Sequence, residues 1–251
     1  MMLPYLELKS PRIYFLADAH FLDPHDPVES QRRARFRHFL EQVPDDASVF
    51  LLGDIFDYFF ENARVISKRY FDIYHAIYAA GRRGVQLHFL GGNHDSWFER
   101  FFQDDLGVTL HGDRILVRSQ GRNMYCSHGD LFIPNDQSYR IIRAIIHNPF
   151  LVKATRVLLH PDWLDFIAVR VSNHSKGRDR GNQSDIANYL ADIACESFFK
   201  WDNDVFIMGH VHTPLHRIHE GKDFMIVGDW IENFTYGLLQ GGKLSLEKFK
   251  S

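Results

Sequence analysis

Short runs of β-forming apolar residues recur along the chain, and five of them end in clusters of aspartate, asparagine, histidine and glycine. The clusters are Asp18-Ala19-His20, Gly53-Asp54-Ile55-Phe56-Asp57, Gly92-Asn93-His94-Asp95, His128-Gly129-Asp130 and Gly209-His210-Val211-His212. In the first third, the apolar runs 13–17, 49–52 and 85–90 alternate with helical stretches. The first of these, 29–41, is charged. In the second, Ile66, Tyr70, Ile73, Ile77 and Ala80 recur at helical spacing before Gly81 and Gly84. Such alternation demands a largely parallel sheet covered on both faces. Ligands then gather at the carboxyl ends of the strands, where the clusters fall.

From residue 114 the pattern changes to short strands, 114–118 and 123–127. Further strands are expected at 204–208, 215–219, 224–227, 235–239 and 244–249, with turns at Gly221 and Gly241-Gly242. The prediction is an α/β fold of two packed sheets flanked by helices. Between these regions lies a block of different character, 136–181, read as a helical insertion. It is rich in Ile, Leu, Val, Phe and Trp, and between residues 140 and 180 it carries eight Lys/Arg against three Asp, in a chain of net charge −3. Residues 1–135 and 182–251 form the predicted core. Ile186, Tyr189, Leu190, Ile193 and Ala194 mark an amphipathic helix that packs on that core.

At 251 residues with 45% apolar side chains, the chain fits one α/β domain with an insertion. The small negative charge argues against bulk nucleic-acid binding, and no obligate protein partner is evident. Cys126 and Cys195 are the two cysteines and form no CxxC pair, which excludes a disulfide framework and a thiolate zinc site. Cys126 reads as a buried, inert thiol. No basic segment followed by an apolar stretch opens the chain, and no uncharged apolar run approaches the ~20 residues that span a bilayer. A cytoplasmic protein is expected.

The five clusters supply hard oxygen and imidazole donors for two divalent ions. Alternate residues leaving a strand point the same way, so Asp18 and His20 are expected to reach one ion together. Asp54 is expected to place its two carboxylate oxygens on different ions. Asn93 offers an amide oxygen, and His128, His210 and His212 add imidazoles. This donor set suits manganese, with iron or zinc as alternatives. Two such ions roughly 3.5–4 Å apart hold a bridging hydroxide and clamp a phosphoryl group. His94 is the candidate to steady phosphoryl oxygens or protonate the leaving group, and Asp57 and Asp95 are expected to orient the ligands. Singly, an Asp-x-His or His-x-His is an ordinary surface pair. Gly228-Asp229-Trp230 reads as a turn bracing the site.

Together these residues resemble the calcineurin-like metallophosphoesterase superfamily, from Asp18 to at least His212. The resemblance implies a four-layer α/β/β/α sandwich of two mixed sheets. It also implies ligand roles: Asp18, His20 and His212 on one ion, Asn93, His128 and His210 on the other, and Asp54 between them. Within the superfamily the chain is most similar to the branch that hydrolyses the pyrophosphate of UDP-2,3-diacylglucosamine to UMP and 2,3-diacylglucosamine 1-phosphate, a step of the lipid A pathway. Asp136 and Tyr139 follow His128-Gly129-Asp130 at that branch's spacing, Asn148-Pro149 comes next, and Ser175-Lys176 closes the block as in that branch's lid. The resemblance implies substrate contacts from Asp136, Tyr139, Ser175, Lys176 and either Arg178 or Arg180. The chain departs from the branch at His94, where those members carry Arg, at Asp57, where they carry Glu, and at Asn182, where they tend to carry Lys.

An apolar, cationic insertion suits an amphiphile with acyl chains and an anionic head, and equally the face of a peripheral membrane protein or a helical subdomain with its own core. The expectation is an enzyme peripheral to the cytoplasmic membrane face, acting on a UDP-linked diacyl sugar lipid. A soluble phosphodiesterase or phosphoprotein phosphatase on the same fold is the alternative, and a non-catalytic scaffold ranks third.

Overall fold

Every second residue of the central strands faces the same layer, and this period sets the architecture. The computed structural model describes residues 4–22, 24–62, 64–95, 97–132, 148–158, 160, 163, 183–196 and 202–250. Sheet B carries β2 (Arg12–Leu16), β3 (Ser48–Leu51), β4 (Gln86–Leu90), β5 (Thr109–His111), β11 (Thr235–Gln240) and β12 (Lys243–Lys248), in the order β12-β11-β2-β3-β4-β5. Sheet A carries β1 (Tyr5–Glu7), β6 (Arg114–Ser119), β7 (Arg122–Ser127), β8 (Val205–Met208), β9 (Leu215–His219) and β10 (Lys222–Ile226), in the order β1-β6-β7-β8-β10-β9.

Ile13, Phe15 and Phe50 of sheet B meet Val117, Met124, Cys126, Val205, Ile207 and Met225 of sheet A in the core between the sheets. The intervening residues face outward. On sheet B, Leu16, Val49, Leu51, Leu87 and Phe89 pack under α1 (Pro27–Gln42) and α2 (Phe71–Arg83) through Phe36, Phe39, Ile73 and Ile77. On sheet A, Tyr125, Phe206, Met208, Phe224 and Ile226 pack under α4 (Gln183–Glu196) through Ala187, Leu190, Ala191 and Ala194. The order of layers is helix, sheet, sheet, helix. Both sheets are mixed: β2-β3-β4-β5 and β7-β8-β10 run parallel, whereas β11 on β2, β6 on β7 and β9 on β10 are antiparallel.

One helix differs from its sequence expectation. Ile66 has the spacing of a helical residue but precedes α2, which starts at Phe71 after a short 3₁₀ turn at Lys68–Tyr70. Ile66 packs against the same core from the preceding loop, so burial, not helical geometry, produced the periodicity. The edge strands β1 and β5 have three residues each and left no pattern to read. Helix α3 (Pro149–Leu158) lies within the 136–181 block. Asp136, Tyr139, Ser175, Lys176, Arg178, Arg180 and Asn182 lie outside the described residues. Among the described residues no helix is long and apolar enough to cross a membrane. Cys126 is fully buried, and burial pushes its thiol up, in keeping with an inert core residue.

Candidate metal centre

Loops from both sheets meet at the carboxyl ends of their strands. The loops after β2 and β3 run side by side: Asp18 N–H donates to Gly53 O (3.1 Å), His20 N–H to Asp54 O (2.9 Å) and Asp57 N–H to Phe21 O (3.1 Å). Phe21 and Phe56, both fully buried, anchor these loops in the core. Asp18, His20, Asp54 and His210 all have positive φ, between 43° and 67°. The other described non-glycine residues with positive φ include Gln120 and Glu220, which sit in hairpin turns. Left-handed backbone is costly for residues with a Cβ and concentrates at functional sites.

This backbone corrects the expected origin of the Asp18–His20 pair. β2 ends at Leu16, and the two residues converge through a left-handed loop, not through strand alternation. Asp18 Oδ1 lies 3.8 Å from His20 Nε2 and 3.6 Å from His212 Nε2. Its other oxygen, Oδ2, accepts from His210 N–H (2.7 Å). A second correction concerns Asp54. Its Oδ1 accepts from His94 N–H (2.9 Å), and Oδ2 alone faces both groups, 3.6 Å from His20 Nε2 and 3.4 Å from His128 Nε2. His128 Nε2 is also 3.1 Å from Asn93 Oδ1 and 3.2 Å from His210 Nδ1.

Among the described residues three groups of donors result, each within 4.8 Å: Asp18 with His20 and His212, Asp54 with His128 and His210, and His20 again with Asp57 and His94; the first two match the expected ligand sets. Asn93 joins the second through His128. Asp18 Oδ1 and His20 Nδ1 are buried without a hydrogen-bond partner, a costly state for polar atoms. Oxygen and imidazole donors converging in this way fit divalent cations. Space is tight: a Cβ on Gly92 would lie 2.1 Å from Asp54 Oδ1, so only glycine admits the Asp54 carboxylate in this position.

Flanking groups hold these side chains and their loops in place. His128 Nδ1 donates to Leu52 O (2.9 Å), which leaves Nε2 facing the cluster. Asp95 is buried; its Oδ1 accepts from the N–H groups of Asp54 (2.9 Å) and Gly92 (3.0 Å), and its Oδ2 from those of Ile55 (2.7 Å) and Phe56 (3.2 Å). It therefore ties two of the clusters together. Asp57 Oδ1 lies 3.8 Å from His20 Nδ1. His94 is half-buried and donates from Nδ1 to Asp57 O (2.6 Å), which frees Nε2. Asp229 accepts from the N–H groups of Ile231, Glu232 and Asn233, and Asn233 Nδ2 donates to His212 O (3.0 Å). Trp230 N–H donates to Asp18 O (3.1 Å), so this turn does brace the site.

Charges interact strongly here. Burial raises the Asp54 carboxyl, but the imidazoles of His128, His94 and His20 outweigh it and hold the group well below the usual carboxylate range. Burial lowers the His128 imidazole, and Asp54 with Asp18 and Asp130 overcomes it to reach about 10. Burial and His128 push His210 down to about 4, and burial takes His20 well below its ordinary value. Sequence reading missed Arg32 and Asn233. Arg32 on α1 donates to the carbonyls of Ala19 and Trp230. In the sequence it looks like one more solvated charge on a surface helix.

Comparison with known proteins follows the same residues. The family described as calcineurin-like phosphoesterase matches residues 11–214. A protein of Porphyromonas gingivalis named UDP-2,3-diacylglucosamine hydrolase is 29% identical over 259 residues, covering 95% of this chain and 98% of that protein. Proteins of the same name from Photorhabdus laumondii and Neisseria gonorrhoeae are 27% and 26% identical, covering 82% and 88% of this chain and 83% and 91% of their own lengths.

Proposed function

Because the chain belongs to the calcineurin-like phosphoesterase family, we propose that this hydrolase cleaves the pyrophosphate of UDP-2,3-diacylglucosamine, releasing UMP and 2,3-diacylglucosamine 1-phosphate. The relatives named for that substrate, aligned over most of both chains, support the reading. The observation that carries the chemistry is Asp54 Oδ2 set between two donor groups. Asp18, His20 and His212 would hold one divalent ion, Asn93, His128 and His210 the other, with Asp54 shared. Manganese is the proposed metal, with iron or zinc as alternatives. When bound, two such ions supply Lewis-acid stabilisation of phosphoryl charge and activation of water.

The chain's own residues supply position. His94 presents Nε2 to a phosphoryl oxygen or the leaving group, held by its bond to Asp57 O. Asp57 orients His20, and Asp95 fixes the Asp54 loop against Gly92. The 136–181 insertion, with Asp136, Tyr139, Ser175, Lys176, Arg178 and Arg180, is proposed as a lid that shelters acyl chains and meets phosphate. α3 supports this with Phe150, 83% exposed, and Leu158, 79% exposed. Peripheral attachment to the cytoplasmic membrane face follows from that lid and substrate.

Incubation of the manganese-loaded protein with UDP-2,3-diacylglucosamine, with UMP release measured, tests the proposal. Turnover is expected, and His20→Ala or Asp54→Ala should reduce it by about a thousandfold or more while circular dichroism stays native. Near-normal activity in either variant would overturn the site. Hydrolysis confined to small diesters would redirect the substrate, and no hydrolysis at all would favour a scaffold.

A further inference from the structure

Glu29, Arg32 and Arg33 on α1 would ordinarily form a solvated face of a surface helix. Instead Glu29 and Arg33 are 3% and 1% exposed, and the Arg32 side chain 10%. Each guanidinium grips different backbone. Arg32 Nη2 donates to Ala19 O, the carbonyl between Asp18 and His20, and Nε donates to Trp230 O (3.3 Å). Its Nη1 is held by Glu29 Oε2 (2.5 Å). Arg33 donates to Leu22 O, to Arg69 O (3.0 Å), to Asp72 Oδ1 (2.6 Å) and, from Nε, to the other oxygen of Glu29 (3.2 Å), but to neither Ala19 nor Trp230.

Arg32 therefore joins the loop that carries Asp18 and His20 to the turn that holds His212; the second set meets that loop only at its edge, where Asp18 Oδ2 accepts from His210 N–H (2.7 Å) and His20 N–H donates to Asp54 O (2.9 Å). Ala19 lies between two residues with φ of 54° and 43°, and its carbonyl is buried. Trp230 belongs to the turn in which Asp229 holds Asn233, and Asn233 holds the carbonyl of His212. The second set is braced elsewhere, through Asp95 and through the bond from His128 to Leu52 O. We propose that Arg32 is a positioning residue that sets cation affinity at the Asp18–His20–His212 position far more than at the Asp54–His128–His210 position. This rests on the reading of those residues as metal ligands. A planar guanidinium fork satisfies two carbonyls at fixed angles, which a lysine ammonium on a flexible stem does not.

The test is Mn²⁺ titration of the metal-stripped full chain by calorimetry, with electron paramagnetic resonance reporting whether bound ions are magnetically coupled. The wild type should take up two ions. Arg32→Gln should weaken one of them by about 10–100-fold, the usual range for groups that orient metal ligands, and leave the other within about threefold. At one equivalent of Mn²⁺ the variant should show an isolated-ion spectrum. Arg32→Lys should fall between, and it carries the same test if Arg32→Gln does not fold. Arg33→Lys is the control. It should lower the unfolding midpoint and keep both affinities. Unchanged affinities in the Arg32 variants, equal weakening at both positions, or the same loss in Arg33→Lys would each overturn the inference. A wild type that takes up no Mn²⁺ would instead overturn the ligand reading.

Discussion

Asp95 shows how one side chain can govern a site it does not face. Its two oxygens accept four backbone N–H groups from two separate loops. Asp95→Asn keeps the shape but turns an amide donor toward two of those N–H groups. Burial and the neighbouring Asp54 push the Asp95 carboxyl up to about 7; at pH 8, where it is ionised, its hydrogen bonds are worth about 1.5–3 kcal/mol each, and losing the two on one oxygen should cost about 3–6 kcal/mol in urea unfolding of the metal-free protein. A loss under about 0.5 kcal/mol would mean that the loops hold themselves. The sequence marked Asp95 as a candidate to orient ligands, as one of the acids in the Gly92-Asn93-His94-Asp95 cluster. The identity of its partners was not, since four N–H groups on a carboxylate are a property of folded loops. Arg32 marks the opposite limit. A charged residue in a helix carries no mark of its burial, and only the path of the Ala19 and Trp230 carbonyls makes it necessary.

Among the elements, the long apolar runs were readable and the short edges were not. β2, β3, β4 and β8 stand close to their expected positions because each is buried on two faces and therefore continuously apolar. The edge strand β5 escaped notice, yet it holds a distinctive pair. His88 of β4 and His111 of β5 meet at 3.1 Å between ring nitrogens, and His88 stacks on Phe50 with centroids 4.4 Å apart. Burial, with His111 beside it, pushes the His88 imidazole down to about 4. The folded-state value lies below the unfolded value of about 6.5, so the unfolded chain takes up this proton first as pH falls. Stability should be unaffected by the pair above pH 6.5 and should fall between about 6.5 and 4, by on the order of 3 kcal/mol, then level off. His88→Gln should flatten that limb in urea titrations with a chelator present. An unchanged slope would show that His88 does not titrate in this window.

For the whole molecule, the donors come from both sheets: Asp18, His20, Asp54 and Asn93 follow strands of sheet B, and His128, His210 and His212 follow strands of sheet A. Mn²⁺ at about 100 times its dissociation constant should add about 2.7 kcal/mol and raise the melting temperature by about 5–10 °C, reversed by chelator. No shift would mean that the ions do not bind the folded state preferentially. The insertion is a separate matter, because its role depends on substrate. Phe150→Ala with Leu158→Ala, at exposed positions, should cut activity on the diacyl substrate about tenfold or more and spare a small chromogenic diester. Equal losses on both would argue against an acyl shelter. The architecture could be read from sequence because it follows from periodicity, and residue chemistry marked the side chains that the fold brings together. The lid residues could not be assigned to contacts by the same means.

The strand order of sheet B has one more implication. β11 lies beside β2, so residues 235–240 complete the sheet that residues 12–16 begin. During vectorial synthesis β2, β3 and β4 emerge from the ribosome with an open edge that waits for residues 235–240. The outer side of the strand that leads into Asp18 is therefore closed only once residues 235–240 have been made.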